Sequence, residues 1–228
     1  LGFSLGEDGE RVASGLGLLF ADDDVVAVRA KGGVAAPAGA SWNDVAAGGV
    51  RSAVVAPLEA WQVAFEDEEG GDLGFDLELR AVSEPAALDP ATDVARLGGM
   101  QGYEQLVAVS GVVRAGRGER RVRCLGQRGH SWGAPDWEKL SVARTLGVWL
   151  DGGPAVTLTA VRRAGVEHHG GEALACSLLL PRGDDGAPAA AVPVQDPRLS
   201  TTYDGDGRQV AAGLELYVGE EDEVPHRA

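Results

Sequence analysis

The chain has 228 residues, a formal net charge of −15, and 44% hydrophobic against 24% charged residues. Those proportions suit a packed core and exclude global disorder, while the acidity excludes partners held by counterion release, namely nucleic acid and anionic membrane surfaces. No apolar run approaches the roughly 18 residues that a membrane span needs.

Glycine, at 34 residues, is about twice its usual share, which opposes long helices and suits a chain that turns often. The cysteines, Cys124 and Cys176, each lie in an alternating apolar run. They exclude a disulfide framework and predict buried thiols in a reducing, cytoplasmic compartment, and no secretory leader stands out.

Residues 12–20 (VASGLGLLF) and 24–31 (DVVAVRAK) predict a hairpin that turns at Asp22 and Asp23. Gly15 and Gly17 do not form a dinucleotide fingerprint, because a second strand rather than a helix follows them. Residues 32–49, rich in Gly and Ala with Pro37 and Trp42, read as a loop with one short helical turn. Strands are expected over 50–58, 61–66 and 72–80. In the last, Leu73, Phe75, Leu77 and Leu79 alternate with Gly74, Asp76, Glu78 and Arg80, so one face is oily and the other wet. The acidic run EDEEGGD over 66–72 reads as a solvated hairpin tip rather than a cation site, since like charges repel and stay in water.

Residues 83–99 break the pattern, with Pro85, Pro90, Gly98 and Gly99 around the helix-permissive run ATDVARL and Asp89 placed to cap it. The stretch reads as a crossover and a domain boundary. Strands resume over 102–114, 119–127, 138–150, 155–163, 172–180 and 209–218, separated by glycine-rich turns, while 181–199, with Pro181, Pro188, Pro193 and Pro197, reads as an irregular rim. Strands at this spacing form a meander that closes into a barrel or a two-sheet sandwich. The expected fold is therefore all-β, with an N-terminal unit over 1–82, a crossover over 83–99 and a C-terminal β-barrel over 100–228.

The stretch that concentrates chemistry is GQRGHSWGAPDW, residues 126–137. In a strand, alternate residues share a face. Val122 and Cys124 suit an interior while Arg121 and Arg123 belong outside, so unbroken parity turns Arg128, His130 and Trp132 inward. An apolar pocket with a few convergent polar groups is how small-molecule sites are built. A bulge at Gly126 or Gly129 reverses that facing. The alternative reading is a packed corner, in which His130 bonds a backbone carbonyl and Arg128 pairs with Asp136 or Glu138.

This run resembles the G-x-R-D-H-S-W-G-x-R-D-W signature of a bacterial group related to the carotenoid hydratase (hydroxyneurosporene synthase) superfamily. The resemblance covers 103–161 well, and the Glu59-Ala60-Trp61 and Tyr203-Asp204-Gly205 segments loosely. Arg128, His130, Ser131, Trp132, Gly133, Asp136 and Trp137 match, whereas Gly129 replaces an Asp and Pro135 an Arg. The resemblance implies two tandem lipocalin-like halves and an apolar, polyene-like ligand or substrate. Hydration of an alkene needs an acid strong enough to protonate carbon, and the adjacent Asp that would serve His130 is missing, which leaves Asp136 or Glu104 to work with it.

No other segment carries a reaction. Asp204-Gly205-Asp206-Gly207 with Glu215 departs from a calcium loop at Arg208 and Gln209 and reads as a hairpin turn. His168 and His169, being adjacent, face opposite ways and read as a solvated turn. Ser131 and His130 likewise diverge and form no dyad. Zinc spacings, phosphate loops and nucleophile elbows are missing from the sequence, so no metal and no cofactor is expected.

Three functions remain open. The first is a carrier or sensor of an apolar small molecule contacted by Glu104, Arg128, His130, Trp132 and Trp137. The second is a hydratase, isomerase or cyclase with His130 and Asp136 as catalytic acid and base. The third is a structural protein in which the stretch is only a corner.

Overall fold

The computed structural model describes the chain apart from residues 6–9, 22–23, 37–38, 67–72, 116–117, 151–152, 168–170, 183–185, 188, 218–225 and 228. The expected acidic tip beyond Glu66, the His168–His169 turn, the Asp22–Asp23 turn and most of the acidic tail lie outside the described residues. In chain order the elements are β1 (Gly2–Leu5), β2 (Arg11–Ala21), β3 (Asp24–Ala35), β4 (Asp44–Ala47), β5 (Val50–Ala56), β6 (Ala60–Glu66), β7 (Leu73–Ala81), β8 (Ala86–Ala87), α1 (Asp93–Gly98), β9 (Met100–Ala115) and β10 (Gly118–Gly133). A 3-10 turn over Trp137–Lys139 follows, then β11 (Leu140–Trp149), β12 (Ala155–Arg163), β13 (Glu172–Leu179), β14 (Val192–Pro193), β15 (Arg198–Tyr203), β16 (Gln209–Leu216) and β17 (His226–Arg227). The protein is all-β, built of antiparallel sheets with one short helix among the described residues. No helix in the described residues is long and apolar enough to cross a membrane.

The chain divides into two compact units, Leu1–Ala81 with Val107–Gly126, and Val82–Leu106 with Gln127–Ala228. This differs from a sequential cut with a linker over 83–99, because β9 and β10 each give one half to each unit. A strand keeps one alternation along its length, so no break in composition marks the crossing.

In the first unit, β1–β2–β3 form one sheet and β4, β5, β6, β7 and parts of β9 and β10 another. The oily face expected of β7 is present: Phe75 pairs with Phe65 at a ring separation of 5.6 Å, while Asp76, Glu78 and Arg80 are exposed. Trp61, Ala81 and Val107 are buried together, with Val54, Leu79 and Val109 packed around them. Gly15 and Gly17 serve close packing, not phosphate binding. A Cβ at Gly15 would strike the carbonyl oxygen of Ala47, and one at Gly17 would meet the Phe65 ring at 3.4 Å. The loop expected over 32–49 contains the end of β3 and all of β4, since small residues hide an alternation that Val45 and Ala47 complete by burial.

In the second unit, the sheet β11–β12–β13–β14 buries Val156, Leu158, Ala160 and Cys176 with Val194, Leu214 and Leu216. Each fully buried aliphatic side chain stabilises by about 1.5–3 kcal/mol relative to exposure. The opposite face of β12 carries Thr157 and Thr159. The proline-rich stretch holds β14, whose Val192 and Pro193 pair with β13. Helix α1 starts at Thr92, whose hydroxyl accepts from the Ala95 amide at 3.3 Å, and ends at Gly99 in the left-handed region at φ 59°. Thr92, not Asp89, is thus its cap; Asp89 Oδ1 instead accepts from the Ala91 amide at 2.8 Å. Ahead of the helix, buried Ser83 accepts from the Leu106 amide at 2.9 Å and its carbonyl takes the Gln105 side-chain amide at 2.9 Å, tying this segment to β9 at Gln105 and Leu106.

Candidate functional site

Within the second unit, the end of β10 runs beside the start of β9. A Cβ at Gly102 would meet Ser131 at 3.2 Å, and one at Gly129 would land on the Glu104 carboxyl. Alternation then sorts the side chains into two sets. Glu104, Gln127, Gly129 and Ser131 share one face. Tyr103, Arg128, His130 and Trp132 share the other.

On the first face, Gln127 Nε2 donates to Glu104 Oε2 at 2.9 Å and to Thr157 Oγ1 at 3.2 Å. Gly147, on β11 across from them, leaves room for the Gln127 amide, whose buried Oε1 accepts no hydrogen bond among the described residues. Burial raises the Glu104 carboxyl above the ordinary glutamate value, against the opposing pull of the Gln127 hydrogen bond and the Arg128 charge. Glu104 and Thr157 border a cavity of about 360 Å³. Its hydroxyl-bearing wall comprises Thr145, Thr157, Thr159 and Ser177, and its apolar wall includes Ala86, Leu88, Leu174 and Pro193. Cys176 also borders it, and burial pushes that thiol up to about 12, so it is protonated and inert at neutral pH.

On the second face the rings stack in series. His130 lies 5.9 Å from Tyr103 and 5.5 Å from Trp132, and Tyr103 meets Trp132 edge-on at 6.4 Å. Arg128 Nη1 donates to the Tyr103 hydroxyl at 2.7 Å, with the guanidinium 5.3 Å from that ring's centre. Burial, and secondarily the Arg128 charge, holds the His130 imidazolium below its usual range, so the ring is neutral at pH 7.

The structure therefore gathers Arg128, His130 and Trp132 around Tyr103, sets Glu104 with Gln127, and borders the cavity with Tyr103, Glu104 and His130. It corrects the parity argument. Cys124, the residue that anchored an inward even face, is exposed, and Trp132 is 47% exposed; the residues that meet Glu104 and Thr157 are Gln127 and Gly129. Asp136 and Trp137 stand apart. Asp136 pairs with Lys139 at 2.7 Å, which lowers its carboxyl, and Trp137 is 63% exposed on the 3-10 turn. For Asp136 to act with His130 it would have to leave this ion pair.

Tyr103, Gln127 and Thr157 escaped the sequence argument. The signal for Thr157 was legible in the Val-Thr-Leu-Thr alternation of β12, which makes one of its two faces polar. Among the described residues no group of three His, Cys, Asp or Glu side chains converges to hold a metal ion. In comparisons with known proteins, a family model described as a domain of unknown function matches residues 5–212. No curated protein and no solved structure matches the chain.

Proposed function

The chain belongs to the domain-of-unknown-function family DUF7064, and from the cavity of its second unit we propose that it binds a small molecule with a largely apolar body. The observation that carries this reading is a cavity of about 360 Å³ whose wall holds the Glu104 carboxyl and the Thr157 hydroxyl, both bonded by the Gln127 amide. That volume falls in the roughly 300–1,000 Å³ range of ligand sites, which pair apolar walls with a few fixed polar groups. The resemblance of residues 126–137 to the carotenoid hydratase-like signature supports the same ligand class. Arg128, His130 and Trp132 act in this reading by stacking on Tyr103, which holds the two strands in register beneath the triplet. An exposed free thiol at Cys124 favours a reducing, cytoplasmic setting.

A second reading, a hydratase, isomerase or cyclase, has one observation in its favour. The Glu104 carboxyl keeps its proton to higher pH than an ordinary glutamate, which suits a general acid, and His130 beside the same cavity is neutral and able to accept a proton.

Nile red, an uncharged apolar fluorophore, tests the binding reading directly. The protein is expected to enhance its emission saturably, and Ala87→Trp, which places a bulky ring at the exposed cavity rim, is expected to abolish that enhancement while the melting temperature holds. Unchanged Nile red binding by the filled variant, or none by the parent, removes the proposal. Turnover of a bound polyene that Glu104→Gln abolishes would select the enzymatic reading.

A further inference from the structure

Among the described residues the second-unit cavity is lined by acids and hydroxyls, with His130 as its titratable base. Glu104 and Asp89 supply its carboxyls, and neither lysine nor arginine lines it among the described residues. The arginines nearest in the fold are turned away and engaged elsewhere. Arg128 does not line the cavity: its guanidinium is taken up by the Tyr103 hydroxyl at 2.7 Å, and its charge is felt at Glu104 without offsetting the rise that burial causes there. Arg144 bonds Glu172 at 2.8 Å, and Arg162 approaches the same carboxylate at 3.9 Å. Both side chains follow the parity of Leu146 and Leu158, which is the face of β11 and β12 opposite Thr145, Thr157 and Thr159.

We propose that this cavity selects uncharged ligands that carry a hydroxyl or carbonyl group, and rejects carboxylates of the same skeleton. The inference rests on the binding reading above and narrows it to a ligand class. A buried carboxylate gives up its hydration and needs a cation or several donors in return. Here it would meet no lysine or arginine among the described lining residues, and it would approach the Glu104 carboxyl, a like charge whenever Glu104 is ionised. An alcohol or ketone meets the reverse situation, since the Thr157, Thr159 and Ser177 hydroxyls donate as well as accept. Burial keeps Glu104 protonated further up the pH scale, which adds a donor for a ligand carbonyl. The apolar wall of Leu88, Leu174 and Pro193 serves the body of either ligand and does not discriminate between them.

Calorimetric titration with two matched pairs, farnesol against farnesoic acid and dodecanol against dodecanoic acid, tests the inference at pH 7.5. The alcohols are expected to bind at least about tenfold more tightly than the acids, a difference easily resolved in Kd. Gln101→Arg, which sets a guanidinium at the exposed rim of the cavity, is expected to shrink that ratio by strengthening the acids alone. Acids bound as tightly as alcohols by the parent would overturn the selectivity while leaving the binding reading intact, as would a ratio unmoved by Gln101→Arg. If alcohols, acids and Nile red all fail to bind, the binding reading itself falls.

Discussion

The Glu104 carboxyl occupies the space that a side chain at Gly129 would need: a Cβ there would lie 2.6 Å from Oε2 and 2.7 Å from Cδ. A glycine on β10 thus makes room for a carboxyl that reaches across from the neighbouring strand β9.

Gly129→Ala is accordingly expected to push the Glu104 carboxyl, the end of a flexible side chain, off its Gln127 hydrogen bond and to cost about 0.5–1.5 kcal/mol, the usual net worth of one such bond. Most of that loss should disappear in a Glu104→Ala background, because the clash needs both groups. Urea denaturation of the four proteins of the cycle measures the coupling. Additive losses would mean that the two positions do not compete for the same space.

Glu104 also links stability to pH. Its folded carboxyl binds the proton more tightly than the ordinary value of 4.5, so the folded state is favoured at low pH and this advantage is lost as pH rises through the raised value. Glu104→Gln keeps the neutral shape and removes the titration. Its melting temperature relative to the parent should therefore climb with pH above 4.5 and level off once the parent carboxyl has ionised. Thermal scans between pH 4 and 8 read this out, and a constant difference across that window contradicts it.

His130 titrates in the opposite sense. Its folded value lies below the ordinary 6.5 because of burial and Arg128, so its contribution to stability is present above 6.5 and is lost as acid protonates the folded ring. The Cε1 proton resonance of His130 should show a midpoint below 6.5, and Arg128→Met should move that midpoint upward by removing the neighbouring positive charge. A midpoint unmoved by Arg128→Met would place the guanidinium elsewhere.

The two thiols should differ in reactivity. Cys124 is exposed on β10, whereas burial pushes Cys176 up to about 12. A disulfide reagent at pH 8 is expected to modify Cys124 promptly and Cys176 only after unfolding. Prompt reaction of both in the native protein would show that the β13 core is open.

Much of the fold was legible because alternation is a local property. Leu73 to Arg80 declared β7, the 12–31 hairpin declared β2 and β3, and the ATDVARL run declared α1. Other elements were hidden for physical reasons. In β4 the small residues Ala46 and Ala47 flatten the contrast between faces, and in β14 the proline at 193 masks a strand short enough to tolerate it at an edge. Parity alone could not fix the facing of residues 128–132, because a cysteine passes for an interior residue on chemistry alone: Cys124 lies outside and Trp132 is half-exposed, while His130 borders the cavity.

Residue pattern by itself determined that the chain is an acidic, turn-rich β protein whose chemistry gathers around Gly126 to Trp137, since polarity alternation and side-chain inventory are written along the chain. Only tertiary structure decided that Glu104 lies over Gly129 and that Gln127 ties it to Thr157. Those relationships join separate strands, and a strand's own period says which residues share a face but not which strand or cavity that face meets.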